Sequence, residues 1–422
     1  MEVRFEKLQT SFQKGLRIKA PAGSSPSGSS FQGREIQLRP SLLHLFLGRL
    51  VLREIRLDAP RMVWVEKNAP RQEAAPAENA PVAPAPNPLN ALLHGQLGGK
   101  KVVLQGLVLE NGDFQCISAS GQSLLHVEGV SLQIRSTADG DGQGRLGVAK
   151  GTLAEALSFH ALQAPLLLEK GTLKIPNLAA KSGGGQFSAS AVFPRESVAP
   201  FQIQASLQNV DLSQLSEEIS TLRMSGILNA QVDLHGKSLE IANLEGSGSA
   251  QVKDGFFKGL SLFQILGQIF QIQELANLKI QSGSTQFTIA NRQILLHSLT
   301  LQSDNLLLEA PGSIGFDKQL ALNARLRLPE KMLKSKNIQG FLGRFSPPDS
   351  EGNQSIDFQV SGTSEKPRTN LLEKIVSGGA GNVLQQVLSN FLKPKSSPKT
   401  NDSPGSAPDA TPPPTDPQPQ NR

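Results

Sequence analysis

A chain of 422 residues suffices for two or three ordinary domains or one long repetitive one, and 38% apolar against 18% charged residues is enough to build a core. With no Tyr and one Trp, Trp64, a stacking surface for nucleic acid would have to be made of Phe alone, and the lone Cys116 excludes an internal disulfide. The net charge of +6 is carried by residues 1–67, where twelve Lys and Arg stand against six Asp and Glu (12 − 6 = +6), so this section either faces anionic lipid or nucleic acid or is a solvated strand face, the commoner case.

In chain order, the first 67 residues read as short strands with one helix over Pro40–Gly48. Ala22–Ser30 is a Gly/Ser/Pro loop by composition. Residues 68–91 are an Ala/Pro linker, and 394–422 a Pro/Ser tail; neither can bury enough surface to offset its ordering entropy. Residues 92–370 carry a strand pattern. "QLALNARLRL" at Gln319–Leu328 is its clearest case, with apolar Leu320, Leu322, Ala324, Leu326 and Leu328 alternating with wetter residues. The strands are expected to be 5–9 residues long, punctuated by Gly, Asn-Gly, Asp-Gly and Ala-Pro turns. Their spacing is irregular, which excludes a strict fixed-period repeat.

Two further stretches break the pattern. Leu260–Ile272 places Leu262, Phe263, Leu266, Ile269 and Phe270 at helical spacing, after Gly255 and Gly259. It follows a small-residue strand that ends in a Lys253-Asp254-Gly255 turn. Residues 371–393 read as a short helix, a hinge at Gly378, Gly379 and Gly381, and a second amphipathic helix. No apolar run reaches the length of about 20 residues that a membrane-spanning helix needs.

Catalytic motifs are missing from the sequence. "GQGRLG" at Gly142–Gly147 has the spacing of a dinucleotide fingerprint but leads into a strand pattern instead of a helix. "SGGGQ" at Ser182–Gln186 reads as a turn. The six histidines are too far apart for a local metal site, and no serine has a recognisable base nearby. No catalytic residue, metal ligand or cofactor is assigned. A long half-apolar meander must instead cover its apolar face, either by folding on itself or with a ligand.

Several stretches together resemble the AsmA-like family of bacterial envelope proteins. "LEGSGSAQVKDGFFKGLSLFQILGQI" resembles that family's C-terminal region, in which a small-residue strand leads through an acidic-Gly turn to a short apolar helix. The strands from Ser284 to Leu328, with "L-x-A-x-G-x-I" at Leu308–Ile314, and the closing "FQVSGTSEKPRTNL" continue the likeness over 225–370. "SLLHLFLGRLVLREIRLDAPRMVWVEKN" resembles the family's N-terminal unit, within 1–67. The resemblance implies a repeating β-groove protein of the periplasm, linked to outer-membrane biogenesis and phospholipid movement. Members usually begin with a transmembrane helix. None is present here, so the anchor is expected either upstream of Met1 or lost.

The resulting expectation is a mainly β protein whose elongated, curved antiparallel sheet forms an apolar groove, with a few short amphipathic helices. Phe256, Phe257, Phe263, Leu266, Ile269 and Phe270 are the expected lipid-facing positions. The expected function is non-enzymatic binding or transfer of phospholipid acyl chains between inner and outer membrane, by a periplasmic protein associated with the inner membrane. The expected partners are phospholipid, the inner-membrane surface and outer-membrane assembly proteins, and not nucleic acid. A structural or assembly factor acting through its sheet edges is the alternative. A hydrolase of envelope polymers would need a clustered acid and base, for which there is no local sign.

Overall fold

The structure is a computed structural model. It describes residues 2–371 apart from 12–14, 27, 42–43, 45–49, 66–95, 98–99, 119–120, 138–140, 156, 195–199, 216–222, 237–242, 271–276, 334–344 and 365. All of them belong to one compact unit, Met1–Ile375. They form one long, curved, mixed sheet with three short helices.

The first strands are β1 (Glu2–Arg4), β2 (Lys7–Ser11), β3 (Gly15–Lys19), β4 (Ala22–Ser24), β5 (Ser30–Gln32), β6 (Glu35–Pro40), β7 (Leu50–Asp58) and β8 (Arg61–Val65). They pair antiparallel in two parallel tracks. One track is β2–β3–β6–β7 and the other β1–β4–β5–β8. The stretch expected as a loop at Ala22–Ser30 is therefore a hairpin. Its small residues still pair through the backbone, which composition does not report.

Next come β9 (Gln96–Leu97), β10 (Lys100–Leu104) and β11 (Gly106–Ile117). Here the sheet departs from the expected antiparallel order. β10 and β11 run parallel to β7, and β11 also runs parallel to β8. A parallel return needs a connection of a dozen or more residues, and residues 66–95 lie between these strands.

From β11 the sheet is an antiparallel meander. It runs through β12 (Ser123–Ser136), β13 (Gly142–Leu153), β14 (Leu157–Glu169), β15 (Thr172–Ser182), β16 (Gly185–Phe193), β17 (Phe201–Asp211), β18 (Arg223–Gly236), β19 (Glu245–Lys258), β20 (Asn277–Ala290) and β21 (Gln293–Ser303). β22 (Leu306–Glu309) and β23 (Gly312–Gly315) follow, each pairing with β21 and with β24 (Leu320–Leu328). β25 (Gln354–Gly362) and β26 (Pro367–Thr369) complete the order.

Many strands are longer than expected because several presumed turns are bulges inside strands. Asn111, Ala161, Asn209 and Asp254 take positive φ, between 50° and 55°, inside strands, and Ala20 and Ala59 do so, at 47° and 46°, where one strand gives way to the next. In the N-terminal half these kinks line up across the sheet. Glu6 N–H donates to Lys19 O, Ala20 N–H to Arg34 O, Arg34 N–H to Asp58 O, and Ala59 N–H to Glu110 O. A bulge bends its strand and increases local twist, so an aligned row of them creases the sheet. Asn111-Gly112 and Asp254-Gly255 have the left-handed preference of hairpin turns, but here they serve the crease. Lys253-Asp254-Gly255 is likewise a bulge within β19 and not a turn.

The helices are α1 (Leu212–Leu215), α2 (Ser261–Phe270) and α3 (Glu330–Leu333). Gly259, at φ 88°, takes the chain out of β19 and into α2, close to where helical spacing predicted it. Phe263 and Leu266 of α2 pack into the main core with Leu278, Leu308, Leu326, Leu328, Phe358 and Leu371. β24 and β25 supply this core by strict alternation: Leu322, Ala324 and Leu326 against Ile356, Phe358 and Val360. Smaller clusters follow the same face, one around Val210, Leu212 and Leu215, two more between β7 and β16. Among the described residues no helix is long and apolar enough to cross a membrane. The expected helix over 40–48 falls mostly outside the described residues, as do the linker, most of 371–393, and the tail.

Candidate functional site

Paired residues of an antiparallel sheet share a face, so the register of β16–β21 sorts its side chains directly. Three rows form one face. They are Phe187–Leu207–Ala230–Ala250–Thr285–Leu299, Ala189–Ala205–Val232–Gly248–Phe287–Leu296, and Ala191–Ile203–Leu234–Gly246–Ile289–Ile294. Apart from Thr285, every member is apolar or glycine. Apart from Leu296, every member is only half-buried. Ala189, Ile203, Ala205, Ala230, Val232, Leu234 and Ala250 belong to none of the packed clusters.

The centre of this face is built from small residues, with larger ones at its flanks. Phe287 lies over Gly248, where a Cβ would come within 2.5 Å of its ring. Further back, Phe159 lies over Gly151 in the same way, at 2.3 Å. An aromatic ring on a cross-strand glycine covers backbone that would otherwise be solvated, and the small residue keeps the face shallow.

The intervening rows form the opposite, polar face. Ser188, Ser206, Gln231, Ser249, Gln286 and Ser298 share one register row, with a 2.8 Å hydroxyl contact between Ser188 and Ser206. Two open troughs, of about 420 and 540 Å³, lie on this polar side. The first is lined mainly by uncharged Ser, Gln and Asn, with Leu207, Ala230, Ala250 and Thr285 between them. The second includes Glu309 and the Arg325–Asp357 pair, whose two hydrogen bonds measure 2.7 and 3.2 Å. Asp357 holds the Arg325 guanidinium above its ordinary pKa, by hydrogen bonding first and charge second. This is exposed ion-pair chemistry, and neither trough encloses an apolar ligand.

The six expected site residues separate. Phe263 and Leu266 are buried in the main core, Leu266 completely. They are packing residues and do not line an open surface. Phe257 pairs with Leu278 and Met224 and packs against the same core. Phe256 pairs with Lys279 and Ser225 and so lies on the opposite, polar face. Ile269 and Phe270 belong to α2, but their side chains fall outside the described residues. The small-residue rows were not singled out from sequence. Their signal is the alternation of Ala or Gly with Gln or Ser in "FQIQASL", "ILNAQV" and "GSGSAQV".

Titratable groups cluster without converging on a site. His126 sits 3.1 Å from Asp113 and 3.6 Å from Glu128, and Arg61 reaches Asp113 at 3.3 Å. No group of three or more His, Cys, Asp or Glu among the described residues is placed to hold a metal. The fingerprint-spaced sequence "GQGRLG" lies in β13, in extended backbone. Compared with protein-family models, curated proteins and solved structures, the chain finds no match.

Proposed function

We propose that the apolar face of β16–β21 binds phospholipid acyl chains, and that the protein is a non-enzymatic lipid-handling component of a bacterial envelope, of the AsmA-like kind its sequence resembles. The observation that carries this reading is the centre of three registered apolar rows, where Ala189, Ile203, Ala205, Ala230, Val232, Leu234 and Ala250 are half-buried and outside every packed cluster. Apolar surface on this scale calls for a covering partner. An acyl chain gains about 0.8 kcal/mol for each buried CH₂, so a chain of 16 carbons gains on the order of 10 kcal/mol before ordering costs. The small central residues leave room for a chain, while Phe287 and Leu296 border it. The setting that goes with the resemblance is the periplasm, at the inner-membrane surface.

A second reading is favoured for the β20–β26 end. Leu266, Leu326, Leu328 and Leu371 are fully buried there, in a core that needs no ligand. That end serves as a structural cap, and assembly contacts would be made from its outside.

Site-specific photo-crosslinking in cells tests the lipid reading. A benzophenone side chain at position 230, 232 or 250 should capture phospholipid. The same group at 231 or 249, one residue away on the other face, should not. Equal capture at both sets of positions would reject it.

A further inference from the structure

The trough of about 420 Å³ on the polar side of β17–β21 has an internal order. It crosses the five strands between two rows of side chains. Ser206, Gln231, Ser249, Gln286 and Ser298 form one wall, and Gln208, Asn229, Gln251 and Ser284 the other. Leu207, Ala230, Ala250 and Thr285 supply the floor through their backbone, since their side chains point to the opposite face. Each of β17, β18, β19 and β20 contributes one glutamine, and the glutamines change walls from strand to strand: Gln208, then Gln231 across from it, then Gln251, then Gln286. All four are exposed, and none has a side-chain hydrogen bond among the described residues. A carboxamide carries two N–H donors and an accepting oxygen, so both walls present unspent groups of both kinds.

No residue lining the trough is charged. Asp233 and Lys253, two residues beyond Gln231 and Gln251, lie outside it. Elsewhere the same side of the sheet is crossed by ion pairs, such as Arg39–Glu54 at 3.1 Å, Arg61–Asp113 at 3.3 Å and Arg325–Asp357 at 2.7 Å. A phosphate, a nucleic acid or an acidic peptide would need cations here and finds none. An acyl chain would leave the amides unpaired. These exclusions leave a neutral ligand rich in groups that both donate and accept. Its repeat must also match the walls, which offer a long amide on alternate sides at each strand, spaced about 4.8 Å apart. An extended peptide alternates its amides about every 3.3 Å and falls out of step. In a β-1,4-linked glycan each ring is turned over relative to the last. Its hydroxyl-bearing edges therefore alternate from ring to ring, and the length of one hexose ring is close to one strand spacing.

We propose that the trough binds a neutral β-1,4-linked glycan, laid across β17–β21 at one ring per strand, with Gln208, Gln231, Gln251 and Gln286 taking its hydroxyls from alternate sides. Five strands at this spacing span about 19 Å, room for about five rings. The open trough suits a polymer that passes through and is held by its hydroxyl edges instead of by enclosure. The inference does not rest on the lipid reading, since the trough opens on the other side of the sheet.

Saturation-transfer NMR titrations of the full chain with cellopentaose and chitopentaose test the proposal. Maltopentaose, whose α-1,4 links do not turn successive rings over, is the control. At least one β-linked sugar should bind, about tenfold or more tighter than maltopentaose. Q231A with Q251A should weaken binding about twentyfold, roughly fivefold for each lost hydrogen bond. S249Q, Q251S, S284Q and Q286S together keep the composition but break the alternation, and should weaken binding by about the same factor. Q133A, at an exposed glutamine of β12, should bind like the parent. Thermal melts matched to the parent establish that each variant is folded. No transfer to either β-linked sugar at millimolar concentration, equal binding of maltopentaose, tighter binding of a neutral Gly/Ser peptide, or full binding by either multiple variant would each overturn the proposal. Phospholipid content should equal the parent's in all these variants, so failure of the trough is distinguishable from failure of the lipid-binding face.

Discussion

The backbone N–H of Ala59 donates to the carbonyl of Glu110 at 2.8 Å, across the parallel seam that joins β7 and β8 to β11. Ala59 makes this bond with φ at 46°, a conformation that costs a residue with a Cβ on the order of 1 kcal/mol or more. The contact links the creased N-terminal strands to the long meander. Arg56 and Arg61 reach Glu110 and Asp113 over the same seam, at 3.5 and 3.3 Å.

If Ala59 is held in strain by the crease, replacing it has an unusual sign. Ala59→Gly is expected to be neutral or stabilising by up to about 1 kcal/mol, whereas Ala to Gly in an ordinary strand costs 0.5–1 kcal/mol or so. Ala59→Val should destabilise by about 2 kcal/mol, since a β-branched residue tolerates positive φ poorly. Urea denaturation of the three proteins measures both.

Phe159 occupies the space over Gly151, so the two positions should be coupled. Gly151→Ala places a methyl within 2.3 Å of the ring and is expected to cost about 1–3 kcal/mol. In a Phe159→Leu background the same change should cost less, giving a coupling energy of about 1 kcal/mol or more in a double-mutant cycle. Additive effects would mean that the ring moves aside freely.

Leu266 is a core residue of α2, with no exposed surface. Leu266→Ala should destabilise by about 2–5 kcal/mol, the range for emptying a packed leucine site. Lipid content should remain unchanged under conditions where the variant is folded. A loss of lipid at full stability would return Leu266 to the binding surface.

Asp349 contributes a local pH dependence. The N–H of Asn353, at 2.9 Å, chiefly holds its carboxyl below the ordinary aspartate range, with the N–H of Glu351 assisting at 3.0 Å. Because the folded pKa is depressed, the contribution is fully present above the unfolded value and is lost as pH falls through the folded one. Carboxyl NMR should give Asp349 a pKa below the model-peptide value of about 3.9. Asp349→Asn should flatten the acid limb of the stability profile, with little effect near neutral pH. A carboxyl titrating at or above the peptide value would contradict the assignment.

Elements with one dominant local signal were legible in the sequence. The alternation at Gln319–Leu328 became β24 with its apolar side buried, and helical spacing over Leu260–Ile272 became α2. The parallel seam was not legible, because a strand's partner thirty or more residues away leaves no local trace. The crease was misread for a physical reason. Asn-Gly, Asp-Gly and Ala-Pro favour the backbone that hairpin turns need, and bulges need the same backbone.

The two adjacent phenylalanines show the cost of that ambiguity. Counting alternately from Val252, which packs toward the core, puts Phe256 inside and Phe257 outside. The bulge at Asp254 adds one residue to the count and reverses both. One unreadable backbone irregularity thus decides which of these two of the six expected site residues faces the core. The true apolar rows were overlooked because alanine and glycine carry little hydrophobic signal individually, and only the register brings them together.

The most direct test of the central claim is mass spectrometry of organic extracts from the full-length protein, purified without detergent from a Gram-negative host. The account predicts phospholipid at about one or more molecules per chain, strongly reduced when Ala230 and Ala250 are both changed to Trp in a protein that still melts cooperatively. A folded parent protein that emerges empty, and stays empty after incubation with phospholipid vesicles, would contradict it.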